Sequence, residues 1–131
     1  MFIQEAISYD IHVHIMENDF NAPSANIATT FTKGDITNYD DVMAFGKDMD
    51  VITVEVENVN IEALYELEKA GVKVYPQPHI LEIIKDKGLQ KTFYKENNIP
   101  TSDFELVDAN ADLSQLESKI PFVHKVRTGG Y

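Results

Sequence analysis

Short apolar segments alternate with amphipathic segments along much of the chain. Residues 51–56 are rich in β-branched side chains, which is typical of a strand buried in a parallel sheet. Residues 11–15 carry β-branched side chains at alternate positions, as expected of a strand. The strands predicted in this way are 11–15, 28–33, 51–56 and 72–75.

Two amphipathic helices are predicted between these strands. The first begins after Thr37 or Asn38, either of which can cap a helix N-terminus. The second begins after Asn60 and ends at Gly71, because glycine readily adopts the left-handed conformation that closes a helix. Strands and helices that alternate at this spacing indicate a parallel sheet covered by helices. We therefore predict an α/β fold for a first domain at residues 1–79.

A second region, residues 80–131, follows a linker that contains Pro76 and Pro78. Its predicted elements are a helical region at 80–98, a strand at 104–107, a helix at 112–119 and a strand at 122–126. The sheet is expected to continue beyond both ends of the sequence. A strand, a turn and a helix are expected before residue 11, and the final turn is expected to lead into another element.

The composition narrows the classes of partner. Acidic residues outnumber basic residues by 22 to 11, so the formal net charge is −11 and a nucleic acid backbone would be repelled. A phosphorylated small molecule remains compatible, because a few lysines can form a local positive pocket. The sequence has no cysteine, and its apolar runs are far shorter than the ~20 residues of a membrane-spanning helix. We therefore expect a cytoplasmic protein with no membrane or nucleic acid partner.

Residues 125–131 read Lys-Val-Arg-Thr-Gly-Gly-Tyr and follow a predicted strand. Glycines without Cβ atoms let backbone N–H groups approach phosphate oxygens, and Lys125 would add a positive charge. The same pattern occurs in ordinary turns, which composition alone favours. The segment is therefore a candidate phosphate loop whose role depends on its context.

Glu55 and Glu57 alternate with valines at the end of the predicted strand 51–56. The alternation would place both carboxylates on one face of the strand, ~7 Å apart. Ligands of open α/β sheets bind at the carboxyl ends of strands, so a substrate could satisfy these charges. A solvated strand end is an equally good interpretation.

The four histidines give no comparable signal. His12 and His14 would share one face of a strand, but a third metal ligand at suitable spacing is not evident in the sequence. His79 and His124 are isolated, which is more typical of structural residues than of catalysts. We therefore predict no metal site from this sequence.

Several segments resemble those of 5-(carboxyamino)imidazole ribonucleotide synthetases, the ATPase subunits of phosphoribosylaminoimidazole carboxylase, which are ATP-grasp ligases. Residues 51–59 read Val-Ile-Thr-Val-Glu-Val-Glu-Asn-Val and are similar to the family's Val-Thr-Tyr-Glu-Phe-Glu-Asn-Val. Residues 86–91 are similar to its Asp-Arg-Leu-Thr-Gln-Lys, and 99–101 to its Ile-Pro-Thr. Residues 125–131 are similar to the start of its phosphate loop.

The resemblance implies a Rossmann-like pre-ATP-grasp parallel sheet with helices on both faces, followed by the N-terminal part of an ATP-grasp domain. It implies ATP-dependent carboxylation of 5-aminoimidazole ribonucleotide by bicarbonate, through carboxyphosphate, in de novo purine biosynthesis. The implied substrates are therefore the ribonucleotide, bicarbonate and ATP. The family is also dimeric, which implies a homodimer of the full-length protein.

The resemblance also implies roles for individual residues. Glu55 would bind the ribonucleotide, and Lys87 would replace an arginine of the family near ATP, keeping its charge but losing its bidentate fork. The expected nucleotide-binding residues are Lys87, Lys125, Gly129, Gly130 and Tyr131. Catalytic residues are not assigned, and the ligands of Mg²⁺ are expected in a C-terminal part that follows this sequence.

Two alternatives remain compatible with the sequence. One is a related ATP-grasp enzyme, such as the formate-dependent glycinamide ribonucleotide transformylase, and the other is a non-catalytic nucleotide-binding module. The family's first strand and its glycine-rich turn would precede Met1, and half of its phosphate loop would follow Tyr131. Residues 1–131 alone are therefore expected to be catalytically inactive.

Overall fold

The computed structural model describes residues 2–129, apart from the side chain of Gln115. Within them the strands are β1 (His14–Glu17), β2 (Thr30–Lys33), β3 (Val51–Thr53) and β4 (Lys73–Tyr75). The α-helices are α1 (Phe2–Ser8), α2 (Tyr39–Gly46), α3 (Ile61–Lys69), α4 (Pro78–Lys85) and α5 (Lys87–Glu96). Two 3₁₀ helices span Pro23–Asn26 and Leu113–Lys119. The chain divides into two compact units, Met1–Pro78 and His79–Tyr131.

The strands of the first unit pair in parallel. β1 pairs with β2, with His14 opposite Thr30, and β3 pairs with β4, with Ile52 opposite Val74. Each pair forms a two-stranded sheet, and α3 connects β3 to β4. Parallel strands need such a crossover, because a tight turn can join only antiparallel neighbours. The predicted α/β class with parallel strands is confirmed.

All four strands differ from their predicted bounds, β3 and β1 the most. β3 ends at Thr53, although the β-branched run continues to Val56. Its partner strand ends at Tyr75, opposite Thr53, and the next residue is Pro76, which has no N–H group to extend the ladder. β1 begins at His14, three residues later than predicted, where its pairing with Thr30 begins. Pairing partners therefore set the strand ends, and side-chain propensity did not.

The caps of α2 and α3 agree with the sequence. The side-chain oxygen of Asn38 accepts a hydrogen bond from the N–H of Asp41 at 3.1 Å, and that of Asn60 accepts one from Ala63 at 2.9 Å. These bonds satisfy N–H groups that have no partner within the helix. Gly71 follows the C-terminus of α3 with φ of 101°, which glycine tolerates best.

The core of the first unit lies where α2 packs against α3 and α3 packs against β4. Leu64 and Leu67 of α3 are fully buried, and burying a leucine contributes about 1.5–3 kcal/mol. A Cβ atom on Gly46, at the end of α2, would lie 2.4 Å from Leu67 Cδ1 and 2.7 Å from Ile52 Cδ1. Glycine therefore permits the close approach of α2 to α3.

The second unit differs more from its predicted elements. The helical region expected at 80–98 is broken at Asp86, whose extended backbone ends α4 and caps α5. Residues 104–107 and 122–126 do not form strands. β-Propensity describes a fit to a pleated, half-buried surface, and residues 122–126 are exposed. Residues 113–119 are helical as expected, but as a 3₁₀ helix.

The variant Gly46→Ala is expected to lower the free energy of unfolding by about 1–3 kcal/mol, because the added methyl group would overlap Leu67 and Ile52. Without the overlap, alanine would be favoured in a helix by up to about 1 kcal/mol. Urea denaturation of the chain, followed by circular dichroism, measures the sign. In the double variant with Leu67→Ala, the smaller side chain makes room, so strict additivity of the two changes would contradict the contact.

Candidate functional site

Glu55 lies in the bend that follows β3 and is exposed. The predicted alternation of Glu55 and Glu57 on one strand face is wrong, because the strand ends at Thr53 before either residue. Glu57 is half-buried. Glu55 nevertheless follows the carboxyl end of a parallel strand, which is where ligands of α/β sheets bind.

The loop that follows β3 is tied to the loop that follows β2. The N–H of Asn60 donates to the carbonyl oxygen of Ile36 at 2.8 Å, and its side-chain amide donates to that of Thr37 at 3.1 Å. Asn60 also caps α3, so one side chain fixes both the start of a helix and the neighbouring loop. The chain on both sides of Glu55 is therefore anchored, by β3 before it and by Asn60 after it.

Asp35 stabilises the loop after β2 in its ionised form. Its carboxylate accepts hydrogen bonds from the hydroxyl group of Thr37 at 2.7 Å and from the N–H of Thr37 at 2.8 Å. These two bonds lower the pKa of Asp35, the hydroxyl bond more than the backbone bond. The N–H of Asp35 donates to Asp41 of α2 at 2.8 Å. Carboxylates in this loop suit a ligand that presents hydroxyl or amine donors.

A second cluster lies at the start of α5. The guanidinium of Arg127 donates from Nε to Asp86 Oδ1 at 3.0 Å and from Nη2 to Oδ2 at 2.7 Å. The N–H of Lys87 donates to the carbonyl oxygen of Arg127 at 2.8 Å. The structure thus brings the backbone at Lys87 against the segment that contains Lys125 and Gly129. Both lysines are exposed.

Asp86 has a second role as the cap of α5. Its Oδ1 accepts hydrogen bonds from the N–H groups of Gly88 at 2.7 Å and Leu89 at 3.0 Å. The hydrogen bond from Arg127 is the largest cause of a lowered pKa at Asp86, and the two N–H groups add to it. A Cβ atom on Gly88 would lie 2.7 Å from Arg127 Nε, so glycine leaves the space that the guanidinium occupies.

The candidate phosphate loop has open space beside Gly129, its last described residue. Gly129 adopts φ of 69°, a left-handed conformation, and a Cβ atom there would meet nothing within 4 Å. Backbone N–H groups in such a conformation can turn toward an anion. Lys125 lies outside any regular element, and not at the end of a strand as predicted. Gly130 and Tyr131 lie outside the described residues.

Sequence reasoning missed three residues of this unit. Lys91 Nζ donates to Thr101 Oγ1 at 2.5 Å and to Ser102 Oγ at 2.8 Å, which ties α5 to the segment after it. Asp86 and Arg127 lie in the matching segments 86–91 and 125–131, where the sequence motifs assign them no role. An aspartate two residues before a glycine, inside an apparently continuous helix, was the available signal for a cap. The pairing with Arg127 has no local signal, because it joins residues far apart in sequence.

The histidines form no metal centre in the part of the chain that the structure describes. Over residues 2–129, no group of three or more His, Cys, Asp or Glu side chains is placed to hold a metal ion. His14 Nδ1 lies 2.6 Å from Thr30 Oγ1 and links β1 to β2. This contact is a structural one.

A family model named ribonucleotide synthetase preATP-grasp domain matches residues 1–85. The chain belongs to this family. The preATP-grasp match covers the whole first unit, including Glu55, and extends to the end of α4.

Relatives of this preATP-grasp chain cover its remaining residues as well. It is 38% identical over 128 residues to the bifunctional purine synthesis protein purC/E of Dictyostelium discoideum, covering 95% of this chain and 12% of that protein. The N5-carboxyaminoimidazole ribonucleotide synthetase of Thermotoga maritima superposes with a TM-score of 0.86 at 30% identity, over 98% of this chain and 35% of that one. The chain therefore spans about a third or less of these relatives.

A third relative was solved with ligands. The N5-carboxyaminoimidazole synthase of Aspergillus clavatus, in complex with ADP and 5-aminoimidazole ribonucleotide, is 28% identical with a TM-score of 0.69. The match covers 78% of this chain and 27% of that one. The recognition of the synthetase family from sequence motifs is confirmed. None of the helices within residues 2–129 has the length and apolar character required to cross a membrane.

The variant Asp86→Asn is expected to lower the free energy of unfolding by about 0.5–1 kcal/mol near neutral pH, since the guanidinium of Arg127 is half-exposed and solvent screens the pair. Pairing lowers the folded pKa below the ordinary aspartate value of about 3.9. The stabilisation is therefore complete well above that value and is lost as pH falls through the folded pKa. Asparagine retains the cap, so the difference reports the ion pair.

Urea denaturation of both proteins between about pH 7 and pH 3 checks this expectation, and the difference should shrink toward the acid end. The exposed Asp103 provides the control. Asp103→Asn should change stability little at any pH. A difference for Asp86→Asn that stays constant with pH would contradict the role of the ion pair.

Proposed function

We propose that the protein that carries this chain is an ATP-grasp carbon–nitrogen ligase of de novo purine biosynthesis. It joins bicarbonate to the exocyclic amine of 5-aminoimidazole ribonucleotide, with ATP, to give 5-(carboxyamino)imidazole ribonucleotide. The observation that carries the proposal is the preATP-grasp family match over residues 1–85. The similarity to the Thermotoga maritima synthetase along nearly the whole chain supports it.

Glu55 is proposed to bind the ribonucleotide. Its carboxylate is exposed, follows the carboxyl end of β3, and lies in chain that β3 and Asn60 anchor on both sides. An ionised carboxylate only accepts hydrogen bonds, so it can hold hydroxyl groups of a ribose or an amine. Residues 1–79 are proposed as the substrate-side domain.

Residues 80–131 are proposed as the start of the ATP-grasp domain. The chain fits a nucleotide phosphate here, because Lys87 and Lys125 are exposed cations in a protein of net charge −11. Gly129 leaves open space for phosphate oxygens beside the backbone. The proposed nucleotide-binding residues are Lys87, Lys125, Gly129, Gly130 and Tyr131.

The chemistry of the proposed reaction has two steps. A bicarbonate oxygen attacks the γ-phosphorus of ATP, which forms carboxyphosphate and releases ADP. The amine of the ribonucleotide then attacks the carboxyphosphate carbon, and phosphate leaves. Lys87 and Lys125 would offset negative charge that builds up on the phosphates. If the loop is already in place, these side chains need not reorient during the reaction.

Mg²⁺ would enter this reaction with ATP, but the described residues do not supply a ligand set for it. We therefore assign no step to Mg²⁺ here and propose that its protein ligands lie elsewhere in the enzyme. A cytoplasmic location and a homodimer of the full-length protein are proposed on the family resemblance.

The full-length protein is expected to release ADP only when both 5-aminoimidazole ribonucleotide and bicarbonate are present. A coupled assay for ADP measures this, with each substrate omitted in turn as the control. ADP release that depends on glycinamide ribonucleotide and formate would instead support the transformylase alternative. Nucleotide binding without turnover on either substrate set would support a binding module.

The variant Glu55→Gln in the full-length protein is expected to lower kcat/KM for the ribonucleotide by about 10-fold to 100-fold, the effect of losing hydrogen bonds to a charged group. The KM for ATP should change little, because nucleotide binding is assigned to the second unit. Glu68→Gln, at an exposed glutamate on α3, provides the matched control. An unchanged kcat/KM for the ribonucleotide would remove Glu55 from the site.

A further inference from the structure

Arg127 holds the candidate phosphate loop through contacts that the proposed function does not use. Its guanidinium meets both carboxylate oxygens of Asp86, at 3.0 and 2.7 Å. This bidentate geometry is stronger and more directional than a contact between a lysine and a carboxylate. The Asp86 side chain is 20% exposed and that of Arg127 is 54% exposed, so the carboxylate is the more shielded partner.

The pair of Asp86 and Arg127 has further contacts with the start of α5. The backbone of Arg127 accepts a hydrogen bond from the N–H of Lys87 at 2.8 Å. Gly88 leaves the space for Arg127 Nε, which a Cβ atom would approach to 2.7 Å. Asp86 is itself fixed by its bonds to the N–H groups of α5. The loop is thus attached to the first turn of a helix.

Over the described residues 121–129, neither burial nor strand pairing orders this loop. Residues 121–129 are all exposed, and 122–126 do not pair as a strand. Lys125 lies two residues before Arg127 and Gly129 two residues after it, so each is within roughly 7 Å of Arg127 along the backbone. Fixing Arg127 therefore restricts the positions of both proposed phosphate-binding residues.

We propose that Asp86 and Arg127 form a positioning pair, which holds the loop of Lys125 and Gly129 against the start of α5 in the geometry that binds nucleotide phosphate. The inference rests on the proposed nucleotide-binding role of Lys125. In this proposal Arg127 acts through the loop, with Nε and Nη2 both donating to Asp86. Pre-ordering such a loop raises affinity, since less conformational freedom is lost on binding.

Three variants separate the pair from other roles of the same residues. Asp86→Asn removes the charge but keeps a residue that caps helices well. Arg127→Lys keeps the charge but loses the fork. Gly88→Ala leaves Asp86 and Arg127 unchanged and adds only a methyl group where Nε lies, at a position where alanine otherwise favours the helix. Lys119→Gln is the matched control, because it breaks the exposed ion pair with Glu105 in the same unit.

The first measurement needs no nucleotide. Amide hydrogen exchange in the chain, read by mass spectrometry on the peptide that contains Lys87, should be about threefold to fivefold faster in each of the three variants, because the N–H of Lys87 donates to Arg127 and loses protection when the pair is broken. Lys119→Gln should exchange there as the wild type does. Unchanged exchange in Asp86→Asn and Gly88→Ala would overturn the proposal.

The second measurement is calorimetric titration of the full-length protein with ADP. Affinity should fall about threefold to fivefold in the three variants, because the loop populates its binding geometry less often. Lys125→Ala should lose more affinity, and Lys119→Gln none. Faster exchange with unchanged ADP affinity would show that the pair does not position the phosphate site, and would also overturn the proposal.

The two measurements distinguish the inference from the function on which it rests. If Lys125→Ala binds ADP as the wild type does, or the wild type does not bind ADP, the nucleotide role of the loop is wrong, and the positioning proposal falls with it. If Lys125→Ala loses binding while the three variants retain it, the nucleotide role stands and only the positioning proposal is wrong.

Discussion

The carboxylate of Asp86 connects the local and the long-range structure of the second unit. One of its oxygens accepts hydrogen bonds from N–H groups in the first turn of α5. Both oxygens accept hydrogen bonds from the guanidinium of Arg127. A helix start has N–H groups without partners and a positive end of the helix dipole, so a carboxylate is favoured there in any case. Asp86 therefore ends α4, caps α5 and also holds the candidate phosphate loop.

The first unit uses a neutral side chain for a similar purpose. Asn60 caps α3 and donates to the loop after β2, which links the two loops that follow the carboxyl ends of β2 and β3. In the same unit, α2 and α3 pack closely through Gly46. Glu55 thus lies in a short exposed segment between a strand and an anchored cap, a setting that presents a carboxylate without burying it.

Charge is distributed in a way that fits two different ligands. The loops of the first unit carry carboxylates, among them Asp35 with its lowered pKa, and would attract hydroxyl and amine donors. The second unit presents exposed lysines beside a glycine backbone, which suits phosphate. In a chain with net charge −11, such local cations are the places where an anionic ligand is not repelled.

The sequence determined what depends on neighbours along the chain. The caps at Asn38 and Asn60, the left-handed Gly71, the α/β class and the family resemblance all follow from local patterns or motifs. Where the pairing of each β-strand stops depends on the tertiary structure. β3 ends at Thr53 because its partner reaches Pro76, and residues 122–126 do not pair with any of the described residues as a strand would. The contact between Asp86 and Arg127 joins residues 41 apart, and only the folded chain could bring them together, because an ion pair leaves no periodic signal in sequence.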